Sequence, residues 1–278
     1  MSTDTYTHGH HAAVLRSHRS RTAANSAAYL LPQLRPGATL LDVGCGPATL
    51  TADLAGHIAP GHVVGIDVSE SVIAQATQLL ADRGVRNVSL RAGDFRELGT
   101  EPARFGVVHA HQVLQHLSDP IGALRAMGDL AADGGVIAVR DSDYPAMFWA
   151  PDDAALARWS QIYCAVARHN RAEPAAGRHL VGWAAEAGLC DIAYSTSTWS
   201  YATRAELDWL CELWAERISA PGSALAEQAI RYGIAEQREL YEIAAGWRAF
   251  ASRPHAVFVI PHGEVLARPP SARRAEGC

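Results

Sequence analysis

The sequence predicts an α/β fold in which helices cover both faces of a mostly parallel sheet. Short apolar runs alternate with stretches of helical periodicity across residues 37–144, which is the pattern of parallel strands joined by crossover helices. A loop with two glycines follows the first apolar run, and acidic residues end the second and third runs. Those positions belong to the sheet edge where open α/β sheets bind their ligands.

Each strand and helix of this core has its own signal. Predicted strands occupy residues 39–43, 63–66, 88–91, 106–110 and 136–140. One predicted crossover helix follows the glycine loop and ends near residue 58. Two others run over 69–83 and 119–130. Ser69 is a candidate N-cap, and the turn at 133–135 leads into the fifth strand. Ahead of the first strand, a helix is predicted over 20–34, with Pro36-Gly37 after its end.

After Pro151 the pattern changes to longer helical stretches. Helices are predicted over 152–169, 177–187 and an aromatic-rich block at 204–250, and strands at 192–199, 256–260 and 264–267. We predict one domain with five parts. They are a flexible tail (1–17), an N-terminal helix (18–36), a cofactor-binding core (37–144) and two helical additions (145–176 and 203–252). The two additions could cover an acceptor, meaning a second substrate bound beside the cofactor, or they could contact a second copy of the chain.

The composition narrows the classes of function. A net charge of −5 without basic runs argues against a nucleic-acid surface, which needs clustered cations. No apolar run approaches the roughly 20 residues that span a bilayer, and residues 1–11 lack the apolar segment of a secretory signal. Five scattered cysteines fit a reducing cytoplasm. No metal site is predicted, and His8, His10 and His11 are interpreted as part of the tail.

The loop after the first strand is the main candidate for ligand binding. Gly44 and Gly46 permit a tight turn and the close approach of a ligand to the backbone. The helix that follows begins with N–H groups that have no partner within the helix. About 20 residues later Asp67 ends the second strand, where a carboxylate can accept both hydrogen bonds of a ribose diol. Asp94 ends the third strand and could meet an adenine amino group.

Two cofactors suit such a loop, and its residues distinguish them. A dinucleotide-binding loop has the pattern GxGxxG or GxGxxA, but the sixth position here is Thr49. Asp42 lies just before the loop, and its carboxylate would repel a pyrophosphate strongly in a low-dielectric pocket. S-adenosylmethionine (SAM) carries a sulfonium and an ammonium but no phosphate. The loop therefore favours SAM over NAD.

Five segments together resemble class I SAM-dependent methyltransferases. LLDVGCGPATLT at 40–51 resembles their motif I, VGID at 64–67 their motif II and GDF at 93–95 their third motif. VLQHLSDP at 113–120 is similar to the segment after strand four in the ubiquinone/menaquinone-methyltransferase-like branch. DGG at 133–135 stands where that branch has Pro-Gly-Gly. Ala48 replaces the third glycine of motif I, which is tolerated if this residue is already helical.

This resemblance covers residues 18–144 and, less closely, 177–189. It implies a Rossmann-like class I methyltransferase fold with a mostly parallel seven-stranded sheet. Helices would be added at the N-terminus and between the last strands. It also implies transfer of a methyl group from SAM to an O, N or C atom of a small-molecule acceptor, with S-adenosylhomocysteine (SAH) as the product.

The SAM-binding residues that the resemblance implies surround the glycine loop. They are Arg21, Asp42, Gly44, Cys45, Gly46, Asp67, Val68, Gly93, Asp94, Phe95, His111 and Gln112. Gly44 and Gly46 would approach the methionine portion, and Asp67 would hold the ribose. Arg21 could reach the carboxylate of SAM or lie on a solvated helix face.

Candidate residues for the chemistry follow the fourth and fifth strands. His111 and His116 are candidates to accept a proton from an O or N acceptor, because an imidazole titrates near neutral pH. His116 could instead cap a backbone group or pack. Candidate acceptor contacts are Asp143, Tyr144, Trp149 and Arg178. The two aromatic residues among these could equally be core packing for the added helices.

Alternatives to a small-molecule methyltransferase stay open at this point. An NAD(P)-dependent oxidoreductase would share the fold class, and a non-catalytic SAM-binding protein would keep the pocket. A methyltransferase of macromolecules is disfavoured by the charge balance. We interpret the acceptor as a hydrophobic or aromatic metabolite, such as a precursor in secondary metabolism. The protein is predicted to be cytoplasmic, and the added helices make a homodimer plausible.

Overall fold

The computed structural model describes Thr7 and residues 12–100 and 104–270. The helices are α1 (Ala12–Arg19), α2 (Ala23–Ser26), α3 (Thr49–Ile58), α4 (Glu70–Asp82), α5 (Pro120–Leu130), α6 (Ala154–His169), α7 (Ala176–Glu186), α8 (Arg204–Ser219), α9 (Ala224–Arg231) and α10 (Gln237–Phe250). The strands are β1 (Thr39–Val43), β2 (His62–Asp67), β3 (Val88–Ala92), β4 (Phe105–His111), β5 (Ala131–Ser142), β6 (Phe148–Ala150), β7 (Cys190–Tyr201) and β8 (Val257–Arg268).

The strands of the described residues form one sheet with the order β3-β2-β1-β4-β5-β8, in which β1 to β5 run parallel. β8 is antiparallel to β5, and β7 and β6 both pair antiparallel with β8. Leu41 of β1 is level with Val64 of β2 and with Val108 of β4, so these strands end together at one edge. The predicted α/β fold with a mostly parallel sheet is confirmed.

The antiparallel side of the sheet differs from the prediction in two details. The sheet has eight strands rather than seven, because the short β6 pairs with β8 beyond the end of β5. β8 also continues through Pro261, where two separate segments were predicted. Pro261 lies where the partner of β8 changes from β6 to β5, and its carbonyl accepts a hydrogen bond from the Asp143 N–H (3.0 Å). The missing N–H of proline therefore does not interrupt the strand.

The helix predicted over residues 20–34 is absent as a continuous element. Only α2 and a 3-10 turn at Leu31–Gln33 are helical in this segment. Thr22 and Asn25 exchange side-chain-to-backbone hydrogen bonds in a capping box, and Ser26 donates to the Asn25 side chain (2.8 Å). This capping box starts α2 at Thr22. The helix ends four residues later, because the backbone at Ala27 leaves the helical conformation (φ −140°, ψ +21°).

Helix α1 occupies residues that were predicted as the end of a flexible tail. It is joined to α8 by the ion pair of Arg16 with Glu216 (2.5 Å). Helix α1 therefore contacts the second helical addition through α8. His8, His10 and His11, also assigned to the tail, lie outside the described residues.

The apolar interior has a layer on each face of the sheet and a third cluster built by α6, α8, α9 and α10. Trp159 lies at the centre of the third cluster, with ring centroids 4.5 Å from Trp214 and 4.9 Å from Trp247 in edge-to-face geometry. Phe258 and Ile260 of β8 belong to the same cluster. The added helices therefore pack directly on the sheet. No helix in the described ranges has the length and apolar character needed to cross a membrane.

Helix α7 approaches β8 so closely that two glycines face each other. A Cβ atom on Gly263 would lie 1.9 Å from the carbonyl oxygen of Gly177. A Cβ atom on Gly177 would lie 2.8 Å from the Gly263 nitrogen and 2.8 Å from the carbonyl oxygen of Asp141. Since these are backbone atoms in a close-packed interior, they cannot yield as a flexible side chain would. Any side chain here would push α7 away from the sheet.

We expect Gly263→Ala to lower the free energy of unfolding by at least about 2 kcal/mol, because the added methyl group overlaps backbone atoms. Gly182→Ala is the matched control, since a Cβ atom there meets nothing within 4 Å on the exposed side of α7. The control should raise the free energy of unfolding by about 0.5–1 kcal/mol, because alanine favours a helix over glycine. Urea denaturation followed by circular dichroism measures both. Equal effects of the two changes would contradict the close approach.

Candidate functional site

A cavity of about 450 Å³ lies at the carboxyl edge of the parallel strands. Its floor is the loop after β1, and its walls come from α1, α8, β7 and the segments after β2, β3, β4 and β5. All twelve residues that the sequence predicted for a cofactor line this cavity: Arg21, Asp42, Gly44, Cys45, Gly46, Asp67, Val68, Gly93, Asp94, Phe95, His111 and Gln112. The parallel register brings them together from segments distant in the sequence.

The loop after β1 turns through left-handed backbone conformations at Gly44 (φ +66°) and Gly46 (φ +54°). A Cβ atom on Gly44 would lie 2.5 Å from Cγ2 of Val113, so this position excludes a side chain. A Cβ atom on Gly46 would meet only Nδ1 of His18, at 3.7 Å, which leaves the backbone of this residue open to the cavity. The loop therefore offers backbone atoms directly to a ligand.

Ala48 does not meet the condition under which alanine was expected to be tolerated. It precedes α3 as the N-cap residue in the left-handed conformation (φ +60°, ψ +22°), not in a right-handed helical one. A Cβ atom costs roughly 1–2 kcal/mol in that conformation. The same residue is fully buried and packs with Ala52 and Ala76 between α3 and α4. The left-handed backbone conformation at this position explains why the resembled family has a glycine here.

Asp67 holds the loop as well as facing the cavity. Its Oδ2 accepts a hydrogen bond from the Gly46 N–H (3.1 Å), and its Oδ1 accepts one from the Ser69 N–H (3.0 Å). The carboxylate thus ties the end of β2 to the glycine loop and to the start of α4. Val68, beside it, is 75% exposed at the rim. Carboxylate oxygens can accept further hydrogen bonds beyond these two.

Asp42 lies beneath the loop and is only 3% exposed. Its Oδ1 is 2.8 Å from Nδ1 of His109 on β4, and its Oδ2 accepts a hydrogen bond from the Thr51 hydroxyl (2.6 Å). These partners fix the carboxylate and satisfy its buried oxygens. Sequence reasoning did not find His109 or Thr51. For His109, the available signal was its position as a polar residue in the middle of the otherwise apolar strand β4.

Asp94 is paired at the far rim of the cavity. Arg96 donates to both carboxylate oxygens of Asp94, with its Nη2 2.6 Å from Oδ2. Burial raises the pKa of Asp94, but the side-chain and backbone hydrogen bonds from Arg96 outweigh burial and lower it overall. The carboxylate is therefore ionised at neutral pH. Phe95 lies between these two residues in the sequence and adds a buried ring to the cavity wall.

Arg21 enters the cavity from the N-terminal segment. Its Nη2 donates to Oε1 of Gln112, and its Cζ lies 5.8 Å from the ring centroid of Trp199. Gln112 adopts a left-handed conformation (φ +54°) and its Nε2 lies 2.6 Å from the Ser142 hydroxyl and 2.9 Å from Nε2 of His262. Arg21 is therefore positioned by Gln112, which follows β4 and is itself held by side chains of β5 and β8.

The two candidate bases both line the cavity. His111 is 5% exposed, and neither of its ring nitrogens has a hydrogen-bond partner among the described residues. Burial, reinforced by the positive charges of Arg21 and Arg140, holds its pKa well below the ordinary value. Burial, with Arg21 and Arg217, lowers the pKa of His116 to about 3. Both imidazoles are therefore neutral at pH 7, and burial makes each of them a weak proton acceptor.

Of the four candidate acceptor contacts, only Tyr144 lines the cavity. Asp143 and Arg178 instead form a two-bonded ion pair (2.5 and 2.6 Å) that joins the end of β5 to α7. Trp149 stacks on Phe258 of β8 (5.7 Å between centroids) as part of the aromatic packing. These three residues follow β5 or begin α7 as expected, but their partners hold them away from the cavity wall.

Although the 203–252 addition was predicted to cover an acceptor, sequence reasoning did not name the individual residues of the remaining cavity wall. They are Trp199 and Tyr201 of β7, and Trp209, Leu210, Leu213, Trp214 and Arg217 of α8. The α8 residues recur at helical spacing, a pattern that predicts core packing as readily as a binding wall. Trp214 does both, because it packs on Trp159 and also faces the cavity.

Comparison with known proteins gives matches over both halves of the chain. The family model described as Methyltransferase domain matches residues 34–206. The chain is 26% identical over 269 residues to an uncharacterized methyltransferase of Schizosaccharomyces pombe, covering 94% of this chain and 95% of the relative. It is also 26% identical over 282 residues to a probable methyltransferase of Aspergillus luteorubrus, covering 95% and 97%.

Among solved structures, the fold is similar to that of phosphoethanolamine N-methyltransferase 2 from Haemonchus contortus, determined with phosphomonomethylethanolamine and SAH. The TM-score is 0.53 at 17% identity, and the match covers 86% of this chain and 50% of that chain. At this identity the likeness extends to the fold alone.

The buried His111 predicts a pH dependence of stability. Because its pKa is depressed in the folded state, only the unfolded state takes up this proton as the pH falls below about 6.5. The stability that His111 contributes is therefore lost on acidification. Burial raises the pKa of Asp141 to about 7, which has the opposite effect in the same range. A variant that lacks His111 is therefore needed to separate the contribution of this histidine to the pH dependence from that of Asp141.

We expect His111→Gln to lose stability less steeply than the wild type below pH 6.5. The difference in slope should reach up to about 1.4 kcal/mol per pH unit for one proton. Urea midpoints of both proteins between pH 7.5 and pH 5 measure it. Identical slopes would show that His111 is not held neutral.

Proposed function

Because the chain belongs to the Methyltransferase domain family and is a SAM-dependent methyltransferase, we propose that its acceptor is a small, largely apolar molecule bound beside SAM. One observation carries the proposal: the glycine loop and the aromatic face of α8 line the same cavity. The loop end supplies the carboxylates of Asp42, Asp67 and Asp94, while α8 supplies mostly apolar side chains. Family membership decides against the oxidoreductase alternative.

The residues at the loop end fit SAM. The open backbone at Gly46 suits the methionine portion, and Asp67 at the rim suits the two hydroxyl groups of the ribose. Asp94 and Phe95 suit the amino group and the ring of adenine. The buried negative charge of Asp42 beneath the loop suits a ligand that carries positive charge and no phosphate. Arg21 would pair with the carboxylate of SAM.

SAM, when bound, supplies a methyl group made electrophilic by its sulfonium. The chain then has to align an acceptor atom with that methyl group and exclude water. His111 is our candidate to accept a proton from an O or N acceptor, because it is neutral and both ring nitrogens lack a partner among the described residues. His116 is the second candidate, and its Nε2 already lies 3.0 Å from Nε2 of Gln115.

The added helices support an acceptor of small size. Trp209, Leu213 and Trp214 of α8 cover the cavity on the side away from the loop, and α1 adds Ser17 and His18. We infer that these helices cover the acceptor and that the chain is one domain. Net charge of −5 without basic clusters supports a metabolite rather than a nucleic acid. The cytoplasmic location, the homodimer and a role in secondary metabolism stay predictions.

Calorimetry of the purified chain with SAM, SAH and NADH tests the proposal directly. Micromolar binding of SAM and SAH with no binding of NADH is the expected result. An acceptor screen with SAM labelled in the methyl group then identifies the substrate. Failure to bind either adenosyl compound would overturn the proposal.

Replacing Asp67 with alanine should weaken binding of SAH by about 5- to 100-fold, because charge-assisted hydrogen bonds to the ribose are lost. Asp82→Ala at the exposed end of α4 is the matched control, since this carboxylate accepts a hydrogen bond from Gln78 (2.7 Å) and lies outside the cavity. Calorimetry measures both dissociation constants. Unchanged affinity in Asp67→Ala would refute the ribose assignment.

Arg21→Met should raise the dissociation constant of SAH by roughly 10- to 100-fold, since a bond between charged groups is removed. The same variant should bind 5′-methylthioadenosine like the wild type, because that ligand lacks the amino-acid portion. Arg19→Met serves as the control, as its side chain contacts Gln75 and not the cavity. Equal weakening of both ligands would indicate that Arg21 holds the cavity together and does not bind the carboxylate.

A further inference from the structure

The side chain of Gln112 connects the antiparallel side of the sheet to the cavity. Gln112 follows β4 and lines the cavity, and its N–H donates to the Arg140 carbonyl of β5 (2.7 Å). Its backbone adopts a left-handed conformation (φ +54°), which is uncommon for a residue with a side chain. Such a conformation persists only where the surrounding structure holds it. The fold therefore fixes Gln112 at this point of the cavity wall.

The two ends of the Gln112 amide have different partners. Oε1 accepts a hydrogen bond from Nη2 of Arg21. Nε2 donates to the Ser142 hydroxyl (2.6 Å) and lies 2.9 Å from Nε2 of His262. Rotation of the amide by half a turn would place its N–H donors against the guanidinium group, and neither of these groups can accept a hydrogen bond. The contact with Arg21 therefore defines which end of the amide faces His262.

This orientation of the amide also defines the protonation of His262. The amide nitrogen can only donate, so Nε2 of His262 accepts and the proton of the neutral ring lies on Nδ1. His262 is 1% exposed. Burial, reinforced by the positive charges of Arg140 and Arg21, holds its pKa well below the ordinary value. The ring is therefore neutral at pH 7, as an accepting nitrogen requires.

The ring of His262 is held by an aromatic neighbour. Trp199 of β7 meets it edge-on, with 4.5 Å between ring centroids. Trp199 also binds the N-terminal segment, because its Nε1 donates to the Asn25 carbonyl (2.7 Å). The segment that carries Arg21 is therefore attached to the same antiparallel strands that hold the histidine.

We propose that His262 is a positioning residue for SAM, because its accepting nitrogen keeps the amide oxygen of Gln112 turned toward Arg21. Arg21 is thereby held in the direction from which it meets the carboxylate of SAM. This inference rests on the proposed function, which assigns Arg21 to that carboxylate. His262 itself lies behind the cavity wall, so it acts through Gln112 and Arg21 and does not touch the ligand.

The test compares SAH with 5′-methylthioadenosine by calorimetry on the full chain. The two ligands share the adenosine portion, but only SAH carries the amino-acid carboxylate. His262→Phe removes the accepting nitrogen and keeps a ring beside Trp199. It should weaken the binding of SAH about 3- to 10-fold, as expected for one hydrogen bond, and leave the binding of 5′-methylthioadenosine unchanged. His262→Gln restores an accepting oxygen and should recover most of the affinity for SAH.

A double-mutant cycle distinguishes action through Arg21 from a general disturbance of the cavity. In the Arg21→Met background, His262→Phe should change the affinity for SAH less than about twofold, because the side chain that His262 positions is absent. If His262→Phe fails to fold, His262→Leu removes the same acceptor and takes its place in the cycle.

Ser197→Ala is the matched control beside the histidine. Ser197 of β7 lies level with His262 in the strand pair, and its hydroxyl bonds with Glu264 and Arg140. Since this hydroxyl is not a partner of Gln112 among the described residues, the control should keep the wild-type affinity for both ligands.

The outcomes separate this inference from the proposed function. Failure of the wild type to bind SAH and 5′-methylthioadenosine would overturn the proposed function and the inference with it. If the wild type binds both, the inference alone is overturned when His262→Phe binds SAH like the wild type or weakens both ligands equally. It is also overturned when His262→Phe weakens SAH binding to the same extent in the Arg21→Met background.

Discussion

The close approach of backbone segments at the end of β1 is the constraint on which the site depends. Gly44 turns there without a side chain, because Val113 fills the adjoining space and the Gly44 N–H donates to the Ile66 carbonyl (2.8 Å). This turn leaves the next glycine, Gly46, facing the cavity and within reach of the Asp67 carboxylate. The parallel register of β1, β2 and β4 then adds the remaining loop-end residues at the same edge.

Buried polar groups fix the walls around this turn. Asp42 is held by His109 and Thr51 beneath the loop. On the antiparallel side, Arg140 of β5 pairs with Glu264 of β8 (3.2 Å), and its Cζ lies 5.0 Å from the ring centroid of Trp199. Such pairs cost desolvation energy, but they specify one arrangement of neighbouring strands. The polar groups thereby position Trp199 in the cavity wall.

The aromatic cluster of the added helices holds them on the sheet and also contributes to the cavity wall. Trp159 packs among Trp214, Trp247 and Phe258, which attaches α6, α8 and α10 to β8. The same packing presents one face of α8 to the cavity. Carboxylates line the cavity near the glycine loop, whereas most of the α8 side chains that line it are apolar. We propose that the glycine-loop end holds SAM and that the α8 end holds the acceptor.

The sequence by itself determined the parallel core and the loop-end residues, because strand, glycine turn and terminal acid follow one another within short segments. The residues at 44, 46, 67 and 94 therefore line the cavity as their spacing predicts. Only the tertiary structure decided which residues of β7 and α8 line the cavity, since these elements reach it through long-range packing that no local spacing encodes. The same reason explains Asp143 and Arg178, whose mutual ion pair turns them away from the cavity.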